Sequence, residues 1–534
     1  MLRARWLEAI RLPLLLALLT LGAPGDCLAA GEKAARPNIV LIVADDLGFS
    51  DLGCYGGEIP TPRIDSLAAA GTRYLQFYNC AVCVTTRASL MTGLSPRQGP
   101  GGLLRTDMVT IAEVMKAAGY RTAMTGKWHL GSQAPKRPID RGFDEFYGLL
   151  DGCCNYFNPA QRDPEFYNGG RQRAFAHNGQ PITSFPEDYY TTDAFAEHAS
   201  GVIRDWSKGQ QPFFLHVAFT APHFPLHAPE EDIAQFHGKY DDGYFALRER
   251  RFQRQQQLGL LDPRWQLSTA DKKLGPARYD YEIVPWDQVE NLQRERRRME
   301  VYAAMVARLD RAVGRILETL RESGAEDNTL VMFLSDNGGC ATLPADREGM
   351  QAYNRSLPGG ADTYDFVGPG WGWAQNTPFR RYKTFTYEGG IATPMIVRWP
   401  GHTPRGTIDR QTVGHVMDLL PTCLELAGGE YPTERQGQAV LPVEGRSLAA
   451  AFRGKPQGVP EELCWELYGS RAIRVGKWKL VWGVTGKRWE LYDMEADRTE
   501  TTDLAAQHPD LVAQLAKRWE AWNAKCMAPA SSRP

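Results

Sequence analysis

Five short, almost unbroken apolar runs punctuate the chain: Ile39–Ala44, Tyr120–Thr125, Phe213–Phe219, Leu330–Ser335 and Pro394–Trp399. A strand buried on both faces has no polar side to alternate with, so such runs read as strands of a parallel sheet. Between them lie segments with the helical period, Ile64–Ala70, Val109–Ala118, Thr192–Trp206 and Met299–Leu320. In the last, Val301, Met305, Leu309, Ala312, Val313, Ile316 and Leu320 share one face. Alternating strands and helices predict an α/β fold with a mostly parallel sheet sandwiched by helices. From about Thr407 the pattern changes. A helix over Val416–Ala427, strands near Lys477–Trp482 and Trp489–Tyr492, and a helix near Pro509–Trp522 predict a small α+β subdomain over 407–534. Within the main domain, 31–406, residues 228–298 form a charged insertion. Its RERRFQR stretch, Arg248–Arg254, is expected to be a solvated helix face.

The N-terminus departs from this alternation. Arg3, Arg5 and Arg11 flank the apolar run Leu12–Leu21, and small residues follow at Ala23, Gly25, Ala29 and Ala30. That order describes a secretory signal peptide over 1–30, too short to span a bilayer. The mature chain is therefore expected in the periplasm or outside the cell, with no membrane span. A single Asn-x-Ser/Thr sequon, at Asn354, favours a bacterial periplasm. Across 534 residues, 61 basic side chains face 63 acidic ones, so no whole-molecule field draws nucleic acid. Any anion site must be built locally. Ten cysteines are too sparse for a disulfide scaffold, and the adjacent Cys153 and Cys154 are poorly placed to bridge each other.

In an open α/β sheet, ligands bind beyond the carboxyl ends of the strands. The residues ending these runs are Asp45-Asp46, Asp336-Asn337-Gly338-Gly339, Gly126-Lys127-Trp128-His129 and Thr220-Ala221-Pro222-His223. If the four strands are neighbours, three carboxylates and an amide oxygen meet beside a lysine and two imidazoles. Carboxylates crowded in this way need a cation, and an all-oxygen set favours Ca²⁺ or Mg²⁺ over zinc. Lys127, His129 and His223 beside it suit an anionic ester, lysine as fixed charge and histidine as proton carrier. Cys83 precedes Thr85-Thr86-Arg87 and a short segment ending at Gly93. Thr85 or Thr86 as a cap would put Cys83 at a helix N-terminus, where anions are favoured.

These residues resemble the sulfatase family of the alkaline phosphatase-like superfamily. The signature is Cys83-Val84-Thr85-Thr86-Arg87 followed by ASLMTG. Further matches are NIVLIVADDLGFSDLGCYG at 38–56, GYRTAMTGKWHLG at 119–131, RGFDEFYG at 141–148 and HVAFTAPHFPLHAP at 216–229. FLSDNGG at 333–339 and NTPFRRYKTFTYEGGIATPMIVRWPG at 376–401 complete the ordered set, and a family-like tail runs past residue 500. The resemblance implies an arylsulfatase-like sulfuric ester hydrolase whose Cys83 is oxidised to formylglycine by a maturation enzyme. It implies that Asp45, Asp46, Asp336 and Asn337, with the Cys83-derived oxygen, hold one divalent cation, most often Ca²⁺. Arg87 would orient the hydrated aldehyde, Lys127 would grip sulfate, and His129 would take a proton from the second hydroxyl. His223 and Lys383 would bind sulfate and assist the leaving alcohol. The sequence departs from the family at Thr85, where proline or alanine is usual, and around Lys383, where relatives carry glycine rather than Arg380-Arg381-Tyr382.

Two other readings stay open. One is a phosphomonoesterase, phosphodiesterase or phosphonate monoester hydrolase of the superfamily, the last sharing the cysteine motif; the other is an exported glycan-binding relative that keeps the fold without turnover. The substrate is expected to be a sulfated small molecule or glycan. Tyr353, Tyr364, Trp371 and Trp373 in the loop 340–379, with Tyr156 and Phe157, either stack on a sugar or aryl ring at a pocket mouth or stabilise the loop.

Overall fold

The computed structural model describes residues 36–99, 104–273, 279–483 and 486–528; the expected signal peptide lies outside them. Ten strands form the large sheet: β1 Asn38–Ala44, β2 Thr72–Tyr78, β3 Arg121–Gly126, β4 Glu145–Leu149, β5 Phe175–His177, β6 Gln180–Pro181, β7 Phe213–Ala218, β8 Thr329–Ser335, β9 Ala392–Arg398 and β10 Thr407–His415. Their order is β10-β2-β9-β8-β1-β7-β3-β4-β5-β6. The central strands β8, β1, β7, β3 and β4 are parallel, while β9 runs antiparallel to both β8 and β2. The sheet is thus mixed and mostly parallel, as the apolar runs imply.

Burial on both faces explains those runs. On β1, Val40, Ile42 and Ala44 enter one core while Ile39, Leu41 and Val43 enter the other. The long helix Leu292–Glu322 covers the first face with the stripe from Val301 to Leu320. It begins seven residues before the expected start at Met299 because Asn291 caps it, accepting from the Arg294 N–H at 3.0 Å, and because Asp365 holds Arg294 and Arg298. On the other face lie the helices Ile111–Ala117, started by the Thr110–Glu113 capping box, and Leu419–Ala427.

The change of pattern at Thr407 does not mark the end of the large sheet. β10 pairs in parallel with β2, and the helix Leu419–Ala427 belongs to its covering layer. The separate C-terminal sheet comes later, as β11 Leu463–Leu467, β12 Ser470–Val475, β13 Trp478–Gly483 and β14 Arg488–Asp493, all antiparallel. The helix Pro509–Met527 packs on it through Leu515 and Trp519.

The insertion also differs from expectation. In the helix Gly243–Gln257, Arg248 and Arg251 are about 1% exposed rather than solvated. Arg251 donates to Asp51 at 2.6 Å and to Glu58 at 2.7 Å. Arg248 donates to the carbonyls of Trp373 and Ser268 and lies over the Trp373 ring, 3.8 Å from its centroid. Only part of the charged stretch faces water, because loop carboxylates and carbonyls far away in sequence receive the rest. Among the described residues, no helix is long and apolar enough to cross a membrane.

Candidate active site

The four strand ends converge. Ala44 of β1 pairs with Ser335 of β8, so Asp45-Asp46 and Asp336-Asn337 leave the sheet side by side. On the other flank of β1, β7 carries the chain to His223, and β3 beside it ends at Gly126 before Lys127. Gly126 has φ 107°, and a Cβ there would meet the Ala218 carbonyl at 1.9 Å, so only glycine lets Lys127 turn into the site. Cys83 is the first residue of the helix Cys83–Thr92, which ends at Gly93 in the left-handed region. Neither threonine caps that helix. Thr85 Oγ1 donates to the Cys80 and Val82 carbonyls, and Thr86 Oγ1 accepts from the Cys80 N–H, so they brace the turn before it.

Basic groups interleave with the carboxylates. Arg87 donates from Nε and Nη2 to Asp336 Oδ2 at 3.0 and 2.7 Å, and from Nη1 to the Lys127 carbonyl at 2.7 Å. Lys127 Nζ lies 2.6 Å from Asp45 Oδ2, and Lys383 Nζ 2.5 Å from Asp46 Oδ1. Asn337 Nδ2 donates to the same Asp46 oxygen at 2.7 Å. His223 Nδ1 donates to the Phe224 carbonyl at 2.6 Å, which leaves Nε2 facing Asp46 Oδ2 at 3.5 Å. Lys383, outside any strand end, joins the site all the same.

Burial sets the charge states. It pushes the Asp45 carboxyl well above the carboxylate range, with Asp336 adding to the effect and Lys127 and Arg87 opposing it. At Asp46 burial is outweighed by Lys383, Lys127 and the Asn337 amide, and the carboxyl is held below its usual range. Burial, reinforced by Lys127, drives His129 well below the imidazole range, and burial likewise lowers His223. Both rings are neutral near pH 7 and able to accept a proton. The Cys83 thiol is raised by burial, with Lys127 and Lys383 opposing, so the unmodified side chain is a protonated thiol near neutrality.

Three buried acceptors, Asp45 Oδ1, Asp46 Oδ2 and Asn337 Oδ1, have no hydrogen-bond partner. One oxygen each from Asp45, Asp46 and Asp336 lie within 4.8 Å of one another. Unpaired buried acceptors are costly, and oxygens converging on one point fit a hard divalent cation. Cys83 Sγ, an Asp45 oxygen and a His223 nitrogen also lie within 4.8 Å of one another. Cys83, the acidic set and an imidazole are therefore one site. His129 adds an unpartnered Nδ1. Gly152 makes room for its ring, since a Cβ there would sit 2.7 Å from the imidazole.

Several positioning residues carry no sequence signal. Tyr302, hidden in a helical stripe, donates to Asp51 Oδ2 at 2.7 Å and reaches the Asp46 carbonyl at 3.2 Å. Asp51 in turn accepts the Gly48 N–H and pairs with Arg251, so the insertion helix braces the Asp45-Asp46 loop. Asn376 Oδ1 accepts the Gly339 N–H at 2.8 Å and fixes the loop after Asp336.

The aromatic residues do not form a stacking platform. Tyr156, Tyr364, Trp371 and Trp373 are all buried. Tyr156 donates to the Thr220 carbonyl at 2.6 Å and supports the His223 loop; Trp371 donates to the Glu295 carbonyl at 2.8 Å. Tyr353 is exposed and packs edge-on against Phe166, and the half-buried Phe157 packs against Tyr190. Of the two roles open from the sequence, loop stabilisation is the one these contacts serve. Asn354 is buried with its amide donating to the Tyr364 carbonyl and accepting the Tyr364 N–H. Cys153 and Cys154 are buried thiols, Cys153 lying 3.5 Å from the Tyr364 hydroxyl.

The sulfatase family model matches residues 37–429. The chain belongs to the sulfatase family. A second model, described as the C-terminal part of N-sulphoglucosamine sulphohydrolase, matches residues 379–525. The chain is 34% identical to an uncharacterized sulfatase of Schizosaccharomyces pombe over 92% of its own length and 94% of the relative's. It is 36% identical to an arylsulfatase of Klebsiella aerogenes, over 82% and 97%. Among solved structures, Ps i-CgsB in complex with k-i-k-neocarrahexaose aligns with a TM-score of 0.66 and 28% identity, covering 91% of this chain and 93% of that one. This sulfatase is a sulfuric ester hydrolase.

Proposed function

We propose that the enzyme hydrolyses sulfate monoesters through a formylglycine made from Cys83, assisted by one divalent cation, Ca²⁺ by preference, and acts after export to the periplasm or beyond. The observation that carries this reading is the gathering of Cys83, Asp45 and His223 at one buried point beside unpartnered carboxylate oxygens. Asp45, Asp46, Asp336 and Asn337 would hold the cation, which would polarise the attacking hydroxyl and offset charge on the sulfate.

The protein's own groups do the rest. Cys83 as a formylglycine hydrate offers two hydroxyls on one carbon, and Arg87, anchored on Asp336, fixes their orientation. One hydroxyl oxygen bonds to sulfur as the sulfur–alkoxide bond breaks; its proton passes to the bare Nε2 of neutral His223 and on to the leaving oxygen, which the Lys383 ammonium stabilises. His129 then removes the proton of the second hydroxyl. The carbon–oxygen bond to sulfate breaks, sulfate departs and the aldehyde re-forms, ready for a new water. A serine at this position would leave a sulfate ester needing external water. Lys127 and Lys383 supply fixed positive charge for the sulfate oxygens.

The substrate we favour is a sulfate ester on a small aryl or sugar alcohol, a class consistent with the arylsulfatase relative and the oligosaccharide-bound neighbour. Turnover of nitrophenyl sulfate against a nitrophenyl phosphate diester tests the reaction class. Sulfate ester hydrolysis dominating, and lost in Cys83→Ala, is expected; dominant phosphodiester hydrolysis would overturn the reading. A panel of sulfated glycans, with free sulfate measured, then identifies the substrate.

A further inference from the structure

A second cluster of ligand-type side chains lies on the outer part of the large sheet. Glu145 and Tyr147, two residues apart on β4, share a face, and His177 of β5 pairs in register with Tyr147. His198, on the helix Thr191–Trp206, approaches from above that face. His177 Nε2 and His198 Nε2 both point at Glu145 Oε1, at 2.7 and 3.2 Å. The three atoms lie within 4.8 Å of one another. Glu145 pairs with Ala123 on β3, four residues before Lys127, so this cluster sits ~13 Å back along the sheet from the catalytic edge.

The surroundings organise it as a ligand set. Asn178 Nδ2 donates to the other Glu145 oxygen at 2.9 Å, which leaves Oε1 to the imidazoles. The Tyr147 ring stacks on His198 at 5.1 Å and meets His177 edge-on at 5.9 Å, fixing both rings. The His177 side chain is 50% exposed, so solvent reaches the centre of the cluster.

We propose that Glu145, His177 and His198 bind a borderline divalent transition-metal cation, with zinc as the reference ion, at a site separate from the oxygen-lined one. Two imidazole nitrogens and one carboxylate favour Zn²⁺, Ni²⁺ or Cu²⁺ over Ca²⁺, and the fourth position opens to water. Asn178 plays the outer-shell part that holds a ligating carboxylate in place. The ion ties β4, β5 and the helix together and takes no part in ester hydrolysis.

The test uses the whole enzyme in excess Ca²⁺, titrated with Zn²⁺ by calorimetry and with Co²⁺ by visible absorption. The wild type should bind one Zn²⁺ that His177→Ala and His198→Ala lose, and Glu145→Gln should weaken it by at least about tenfold. Cobalt should give the intense visible band of a low-coordinate nitrogen-containing site, absent in His177→Ala. Sulfate ester turnover in Ca²⁺ should be equal in wild type and His177→Ala, which shows that the variant folds. No Zn²⁺ binding by the wild type, or equal stoichiometry and affinity in His177→Ala, would overturn the proposal and leave a hydrogen-bonded cluster only.

Discussion

Asp45, Asp46 and Asp336 with Arg87, Lys127 and Lys383 form one buried cluster of opposite charges; Glu388 and Glu500 with Lys479 and Arg498 form another, where the C-terminal sheet meets the large one. Both are shut away from water, and both perturb the acids within them. They differ in how completely their acceptors are used. Glu388 takes Lys479 on one oxygen at 2.8 Å and Arg498 and Tyr78 on the other at 2.8 and 3.0 Å. Glu500 takes Lys479 at 2.7 Å and the Glu388 N–H at 2.8 Å. No carboxylate oxygen there lacks a partner, whereas Asp45, Asp46 and Asn337 each keep one unpaired. Burial and charge alone do not separate a site from a joint. Between these two clusters the unpaired acceptors do, because the joint gains nothing by leaving them.

Substitutions in the two clusters should therefore fail differently. The largest effect belongs to Cys83→Ala: kcat on a sulfate ester should fall by about 10⁴-fold or more, with the thermal midpoint nearly unchanged. In the joint, Lys479→Met removes the shared partner of two buried carboxylates and should cost about 3–5 kcal/mol in denaturant unfolding, with kcat per folded molecule retained. Loss of activity with full stability in Lys479→Met would erase the contrast. Chelation should abolish turnover and lower the wild-type midpoint, the unfolding free energy falling by about 2.7 kcal/mol relative to ion at a hundred times its dissociation constant. An unchanged midpoint on chelation would mean that the unpaired oxygens do not hold an ion.

The smallest effect is a pH slope. Glu500 is pushed up to about 7 by burial, with Lys479 opposing and Glu388 adding to it. A carboxyl raised in the folded state binds its proton more tightly there than in the unfolded chain. Its contribution is fully present below the unfolded value of about 4.5 and is lost as pH rises through about 7. Midpoints of Glu500→Gln and wild type, measured across that window, should diverge: the wild type declines and the variant stays flatter. Parallel curves would contradict the shift.

What the sequence revealed followed from physics acting within short segments. A strand buried on both faces writes itself as an apolar run, so Ile39–Ala44 and Leu330–Ser335 fall within one or two residues of β1 and β8. Because those strands are parallel, the polar residues that end them share one edge, which made Asp45, Asp46, Asp336, Lys127 and His223 readable together. Lys383 carries no such signal; only the resemblance points to it. β2 and β10 leave no apolar run because Arg73 and Gln76 interrupt one, and TIDRQTVGH, with a register shift between Asp409 and Val413, is mostly polar. Arg251 reads as a surface charge because its partners, Asp51 and Glu58, lie far back along the chain. Aromatic side chains in a long loop look alike whether they stack on a ligand or on each other, and only their burial distinguished the two.

The state of residue 83 is the central claim. Peptide mass spectrometry of the enzyme produced in a host with a competent maturation system reads it directly. Despite Thr85, the peptide is expected to carry formylglycine in proportion to specific activity on a sulfate ester. Only unmodified thiol at Cys83 in protein that turns over sulfate esters would contradict the account.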